Sequence, residues 1–111
     1  MAVEENLEDN ERRETSRYPL TVDIEWEVDS VRLPGTMSDV SFDGCFVLSS
    51  GKVNEGDLIR IYVPLDDGMK VQFNGKIANQ VFEIGFGVRF DQLSSAQRKV
   101  LVNLVKAAER S

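Results

Sequence analysis

The chain has 111 residues, a formal net charge of −6, a single cysteine and no histidine. A chain of this length is expected to form one domain whose core is large enough to fold without disulfides. The lack of histidine removes the most common general base and metal ligand and the Ser-His and Cys-His nucleophile pairs, so we do not expect an enzyme. A lone Cys45 excludes an internal disulfide and a cysteine-based metal cluster and indicates a reducing compartment.

The charge is unevenly distributed. Residues 1–11 contain 5 acidic residues and no Lys or Arg, so the rest of the chain carries a net charge of only −1. This charge balance argues against an extended electrostatic binding surface for nucleic acid, but it is compatible with a compact anionic ligand bound by a few arginines. No segment is apolar enough to insert into a membrane, and the N-terminus lacks a secretory signal, so we expect a cytoplasmic location.

Residues 1–11 have little apolar content and one sign of charge, which predicts a flexible acidic leader. The next six residues, 12–17, form an arginine loop that contains Arg12, Arg13 and Arg17. A guanidinium presents a planar fork of donors that suits a phosphate or the O6/N7 edge of guanine. The segment is therefore a candidate anion-binding loop; the structural alternative is a basic patch that pairs weakly with the leader.

The first strand is predicted at residues 18–28. Pro19 forces an extended conformation on Tyr18, and apolar residues then alternate strictly with polar ones. The second strand is predicted at residues 31–40, where Pro34-Gly35 indicates an edge position or a bulge. Turn-forming residues follow at 39–44, and a short apolar strand occupies residues 45–48.

A longer loop separates these strands from a predicted strand at residues 58–65. Asp66-Asp67-Gly68 predicts a hairpin into a strand at residues 70–80, and a reversal near residues 82–84 leads into the last strand at 85–90. About six strands joined mostly by short turns predict an antiparallel sheet closed into a small β-barrel that spans residues 18–90.

The C-terminal segment changes to helical periodicity. Ser94 and Gln97 fit a capping box, and one predicted face is apolar, which indicates an amphipathic helix over residues 94–109. Its apolar stripe is expected to dock on the barrel, as a lid over one mouth, or on a partner. The residues of that stripe are Val100, Leu101, Leu104, Val105 and Ala108.

The order of two short motifs resembles the PilZ domain family, bacterial receptors for cyclic di-GMP. The family signature is Arg-x-x-x-Arg near the N-terminus and [Asp/Asn]-x-Ser-x-x-Gly after the second strand. Arg13 and Arg17 match the first motif, and Asp39, Ser41 and Gly44 match the second. The resemblance covers residues 12–111 and implies a six-stranded antiparallel barrel with a C-terminal α-helix.

The resemblance also implies a ligand site whose chemistry is consistent with these residue types. The arginines supply charge and donors for phosphate and for the guanine O6/N7 edge, and Asp39 supplies an acceptor for the N1–H and N2–H edge. Ser41 is expected to face the same way as Asp39 and to contact a phosphate or an amine, while Gly44 permits a special backbone conformation or a close approach of the ligand. The structural alternative is that Asp39 and Ser41 cap a turn and that Gly44 is a bulge glycine.

Three other residues have expected roles. Arg12 occupies the position at which PilZ-like proteins accept an intercalated cyclic di-GMP dimer, which predicts two ligands per domain. Arg89 is expected at the surface or barrel rim, and Cys45 and Trp26 are expected in the core. No cofactor or metal is expected.

The expected mechanism is ordering on binding, in which the leader and residues 12–17 close over cyclic di-GMP against Asp39 and Ser41. This closure is expected to change the surface presented to an unidentified effector protein. The outputs expected for such a receptor are motility, biofilm, polysaccharide synthesis or virulence. We expect a monomer or weak homodimer. One alternative is a PilZ-like interaction adaptor that does not bind nucleotide; another is a small barrel that binds single-stranded nucleic acid, against which the acidic balance argues.

Overall fold

The computed structural model describes residues 16–110, in which six strands are followed by one helix. The strands are β1 (Tyr18–Val28), β2 (Val31–Val40), β3 (Gly44–Leu48), β4 (Leu58–Pro64), β5 (Lys70–Val81) and β6 (Gly85–Phe90), and the helix α1 spans Ser95–Glu109. The elements predicted from periodicity are therefore confirmed. The acidic leader and the first two arginines of the predicted loop, Arg12 and Arg13, lie outside the described residues.

The strands form a closed barrel in the order β1-β2-β3-β6-β5-β4, and every neighbouring pair is antiparallel. Closure depends on a short ladder in which Glu25, Trp26 and Glu27 of β1 pair with residues 60–62 of β4. Because successive side chains of a strand point to opposite faces, every second side chain points into the barrel and the others face outward. The predicted six-stranded antiparallel barrel is confirmed.

Large aromatic side chains fill the interior. Trp26 is 1% exposed, its ring lies 5.0 Å from that of Phe86 in an edge-to-face arrangement, and its indole N–H donates to Ser49 Oγ at 3.2 Å. Cys45 is also fully buried, and this burial raises the pKa of its thiol far above the ordinary value. Both residues therefore lie in the core, as the sequence predicts.

The structure decides between the two alternatives predicted at Pro34-Gly35, an edge position and a bulge. The β1–β2 register runs without interruption past the pair Glu25–Pro34, so of the two predicted alternatives the bulge is not found at Pro34-Gly35. The edge interpretation holds locally, because β3 pairs only with the part of β2 from Thr36 onward. Pro34 therefore occupies a stretch that has no β3 neighbour among the described residues, where a missing N–H is tolerated.

The helix α1 begins with the predicted capping box. Ser94 Oγ accepts from the Gln97 N–H at 3.1 Å, and Gln97 Oε1 accepts from the Ser94 N–H at 2.7 Å. Leu101 and Val105 belong to the same buried cluster as the barrel interior, and α1 contacts β1, β2 and β5. The apolar stripe therefore docks on the barrel. No helix within residues 16–110 is long and apolar enough to cross a membrane.

Candidate functional site

A β-bulge at Ser38 directs Asp39 to the outside of the barrel. Met37 is opposite Val47 of β3, whereas Asp39 is opposite the next residue, Phe46, so Ser38 is an extra residue in β2. Met37 and Val40 are both 0% exposed and point inward. With strict alternation Asp39 would share the inward face of Met37, and the inserted residue moves its carboxylate to the outer face.

Arg17, which precedes the neighbouring strand β1, contacts this carboxylate on the same outer face. The residue pair Tyr18–Val40 ends the β1–β2 ladder, which places Arg17 beside the end of β2. Arg17 Nη1 lies 2.8 Å from Asp39 Oδ1, and the two side chains are 51% and 28% exposed. The structure thus brings together two predicted site residues that are 22 positions apart in the sequence. Both stay accessible to a ligand.

Ser41 builds the corner between β2 and β3. It is 2% exposed, and its Oγ accepts from the backbone N–H groups of Asp43 and Gly44, each at 3.1 Å. The hydroxyl also approaches the Gly44 carbonyl at 3.3 Å, and the Ser41 N–H donates to the same carbonyl at 2.8 Å. The side chain therefore turns into the corner and does not share the outward direction of Asp39. The turn-capping alternative describes what the hydroxyl does here.

Gly44 is needed for close strand packing. Its φ is not positive, unlike that of Gly56 or Gly68, so conformational freedom is not the reason for glycine. A Cβ at this position would lie 1.9 Å from the Val88 carbonyl oxygen of β6. Only glycine lets β3 and β6 approach this closely at the start of β3.

A second bulge forms the opposite wall of the site. Ile77 pairs with Val88 and Asn79 pairs with Gly87, which leaves Ala78 as an extra residue in β5. The Asn79 side-chain oxygen accepts from the Gly87 N–H at 3.1 Å and so replaces a ladder hydrogen bond that the bulge disrupts. As a result Asn79 is fixed at the outer surface of the β5–β6 hairpin.

These elements enclose a cleft of about 330 Å³, which falls within the range of small-molecule sites, about 300–1,000 Å³. Its lining residues are Arg17, Ser41, Asp43, Gly44, Ala78, Asn79, Gly87, Val88 and Arg89. Three predicted site residues line it directly, and Asp39 borders it through its ion pair with Arg17. Sequence reasoning missed the wall from β5 and β6, because only the strand register brings it beside the corner.

A larger cleft, of about 520 Å³, is a weaker candidate for an anionic ligand. Its lining includes the carboxylates of Glu27, Asp29 and Asp91. Its one lining arginine, Arg60, lies 3.5 Å from Glu27. Net negative charge of this kind repels an anion, whereas the smaller cleft contains Arg17 and Arg89 against a single lining carboxylate, Asp43. The charges of the lining residues therefore favour the smaller cleft as the binding site for an anionic ligand.

The profile of the PilZ domain family matches residues 11–107. The chain therefore belongs to the PilZ domain family, whose members are regulatory receptors and not enzymes. The matched range contains both sequence motifs and all the described strands. A comparison with curated proteins found no significant match.

Solved PilZ structures share the fold. The PilZ domain of CeSA from a cellulose-synthesizing bacterium superposes with a TM-score of 0.67 at 23% identity, covering 84% of this chain and 97% of that one. Borreliella burgdorferi PlzA, solved in complex with cyclic di-GMP, superposes with a TM-score of 0.68 at 13% identity. The match covers 94% of this chain and 45% of PlzA. Bacillus subtilis MotI/DgrA, an inhibitor of motility, superposes with a TM-score of 0.60 at 14% identity. The match covers 84% of this chain and 48% of MotI/DgrA. This chain thus spans about half the length of the latter two proteins.

Proposed function

We propose that this chain is a cyclic di-GMP receptor that changes its surface when the messenger binds and thereby regulates a partner protein. The observation that carries the proposal is the meeting of Arg17 and Asp39 beside the corner at Ser41–Gly44, at the mouth of the cleft. An arginine fork next to a carboxylate matches a ligand that combines a phosphate with a guanine edge. The solved complex of PlzA with cyclic di-GMP supports the choice of ligand.

Each residue of the two motifs has a proposed role. Asp39 accepts from the N1–H and N2–H of a guanine, and Arg17 donates to a phosphate or to the guanine O6/N7 edge. Arg12 and Arg13 supply the remaining positive charge. Ser41 and Gly44 contribute by holding the corner in shape, because the Ser41 hydroxyl is already engaged with the backbone.

Binding is proposed to reorganise the Arg17–Asp39 pair. Both groups hydrogen-bond to each other at 2.8 Å, so a ligand that uses both must compete with this contact. An exposed ion pair contributes only about 0–1 kcal/mol, so the competition costs little. The segment from Arg12 to Arg17 then closes over the ligand, and the altered surface is read by the effector protein.

Isothermal titration with cyclic di-GMP tests the proposal, with cyclic di-AMP and GTP as specificity controls. We expect Arg17→Ala to weaken binding at least tenfold, because each charged hydrogen bond contributes roughly 1.5–3 kcal/mol. Arg32→Ala is the matched control, since Arg32 forms a similar exposed ion pair with Glu25 at 2.9 Å on another part of the barrel. Equal affinity of Arg17→Ala and the wild type would contradict the site assignment.

The same titration gives the stoichiometry. Two ligands per chain are expected if Arg12 supports an intercalated dimer, and one ligand per chain would reject that part of the proposal. No heat with the wild type at saturating ligand would contradict the receptor function itself.

A nucleotide-independent adaptor is the second candidate, and one observation favours it. Phe82 is 80% exposed and Ile84 is 54% exposed at the turn between β5 and β6, beside the exposed Val81. Exposed apolar groups of this kind are common at protein-binding surfaces. If the wild type bound no cyclic di-GMP while Phe82→Ser abolished binding to its protein partner, this second function would replace the first.

A further inference from the structure

Arg89 is the only residue on the outer face of β6 that has a side chain. Phe86, Val88 and Phe90 point into the barrel and are at most 9% exposed. The alternate positions along the strand are Gly85, Gly87 and the exposed Arg89. Gly85 and Gly87 are both buried, and the Asn79 side chain lies over Gly87, so Arg89 is the one exposed side chain that β6 itself contributes to this face.

The guanidinium lies next to the predicted site. Arg89 pairs directly with Gly44 of the β2–β3 corner and lines the same cleft as Arg17 and Asn79. Gly44 and Gly87 have no side chains and the Asn79 side chain lies over Gly87, so the cleft floor beside Arg89 is formed by backbone and by the Asn79 amide. A flat base or a phosphate lying on this floor would be within reach of the side chain.

Arg89 has no charged partner within residues 16–110. The ion pairs formed by the described arginines involve Arg17, Arg32 and Arg60. Asp43 is the one carboxylate residue among those that line the cleft, and the ion pairs of the described residues do not include one between Asp43 and Arg89. Arg17 is already paired with Asp39, so Arg89 is the cleft cation whose donors remain open to a ligand.

We propose that Arg89 is a second arginine contact to the ligand, from the β6 side of the cleft, while Arg17 approaches from the β1 side. This inference rests on the proposed receptor function and deepens it. It assigns to Arg89 a bidentate contact with a phosphate or with the O6/N7 edge of a guanine. The sequence-based expectation that Arg89 is only a surface or rim residue is correct about its exposure, but it leaves out this role.

Lys76 provides a matched control. It is the register partner of Arg89 on β5, it is exposed and it carries the same charge, but it does not line the cleft. Long-range attraction of the ligand would be lowered almost equally by removing either charge, whereas a direct contact is lost only at Arg89.

The test is titration of cyclic di-GMP into the wild type, Arg89→Gln, Arg89→Lys and Lys76→Gln, after thermal melts have shown that each variant folds. We expect Arg89→Gln to weaken binding at least tenfold and Lys76→Gln to change it less than twofold. Arg89→Lys should restore only part of the affinity, because an ammonium cannot reproduce the planar fork.

The outcomes separate this inference from the proposed function. If the wild type binds and Arg89→Gln binds equally well, or if Arg89→Gln and Lys76→Gln weaken binding to the same small extent, Arg89 is not a ligand contact although the receptor function stands. If the wild type itself does not bind cyclic di-GMP, the proposed receptor function is wrong, and the Arg89 contact that rests on it is rejected with it.

Discussion

Replacement of Ser41 by alanine tests whether the corner beside the cleft depends on one buried hydroxyl. Ser41 Oγ accepts from two backbone N–H groups, those of Asp43 and Gly44, and the residue is 2% exposed. Ser41→Ala removes the acceptor and leaves the buried Gly44 N–H without it, whereas the N–H of the exposed Asp43 can turn to water. The backbone bond from the Ser41 N–H to the Gly44 carbonyl remains, so the corner is weakened and not abolished.

The expected cost follows from these contacts. An unsatisfied buried donor, here the Gly44 N–H, costs about 1–3 kcal/mol, and the Asp43 N–H adds little because water can reach it. We therefore expect a loss of about 2 kcal/mol in the free energy of unfolding. For a domain of this size, 1 kcal/mol corresponds to about 4–8 °C, so the Tm should fall by about 8–16 °C.

The assay is thermal unfolding followed by circular dichroism and by the fluorescence of Trp26. Ser50→Ala, at an exposed serine close to the next strand end, is the control and should melt within about 2 °C of the wild type. Ser41→Thr keeps the hydroxyl and should lose less stability than Ser41→Ala, although its extra methyl enters a packed site. A Tm of Ser41→Ala equal to that of the wild type would refute the assignment of Ser41 as the corner residue.

Two further predictions concern the residues that follow the corner. Gly44→Ala should destabilise more than Gly68→Ala in urea unfolding, because its Cβ would lie 1.9 Å from the Val88 carbonyl, whereas a Cβ at Gly68 has nothing within 4 Å and only a positive φ of 85° to overcome. Equal losses would show that β3 and β6 can separate cheaply. Cys45 should resist a thiol reagent at pH 8 in the folded chain, since burial raises its thiol pKa, and should react rapidly in denaturant. Rapid labelling of the folded chain would contradict its burial.

The periodicity of apolar residues predicts most of the fold, because each barrel strand has one face in the core and one face exposed to solvent. Alternation along β1 from Leu20 to Val28 and the change to helical spacing after Ser94 are both local signals. The capping box was equally readable, since it depends on two residues three positions apart. These elements require no knowledge of which strands become neighbours.

The bulges were harder to predict, and they decide the geometry of the site. The sequence predicts an edge or a bulge at Pro34-Gly35, which is a local edge, while the extra residue of β2 is Ser38. A signal was present, because Met37 and Val40 are apolar residues three apart in a strand, and both can point inward only if one residue is inserted between them.

The wall formed by β5 and β6 could not be predicted from local patterns. Asn79 and Arg89 reach the cleft only because β3 pairs with β6 and β6 pairs with β5 in a particular register. The motif positions in the described chain, in contrast, follow from the resemblance to the PilZ family and need no knowledge of their neighbours in space. The structure adds that Ser41 supports the corner while Asp39 and Arg17 face outward.

The most direct test of the proposed receptor function is an amide NMR titration of the ¹⁵N-labelled chain with cyclic di-GMP. We predict saturable shifts concentrated at Arg17, at residues 39–44, and at Asn79 and Arg89, with little change along α1. Absence of any shift at saturating ligand, or shifts confined to the acidic cleft around Glu27 and Asp91, would contradict the proposed function.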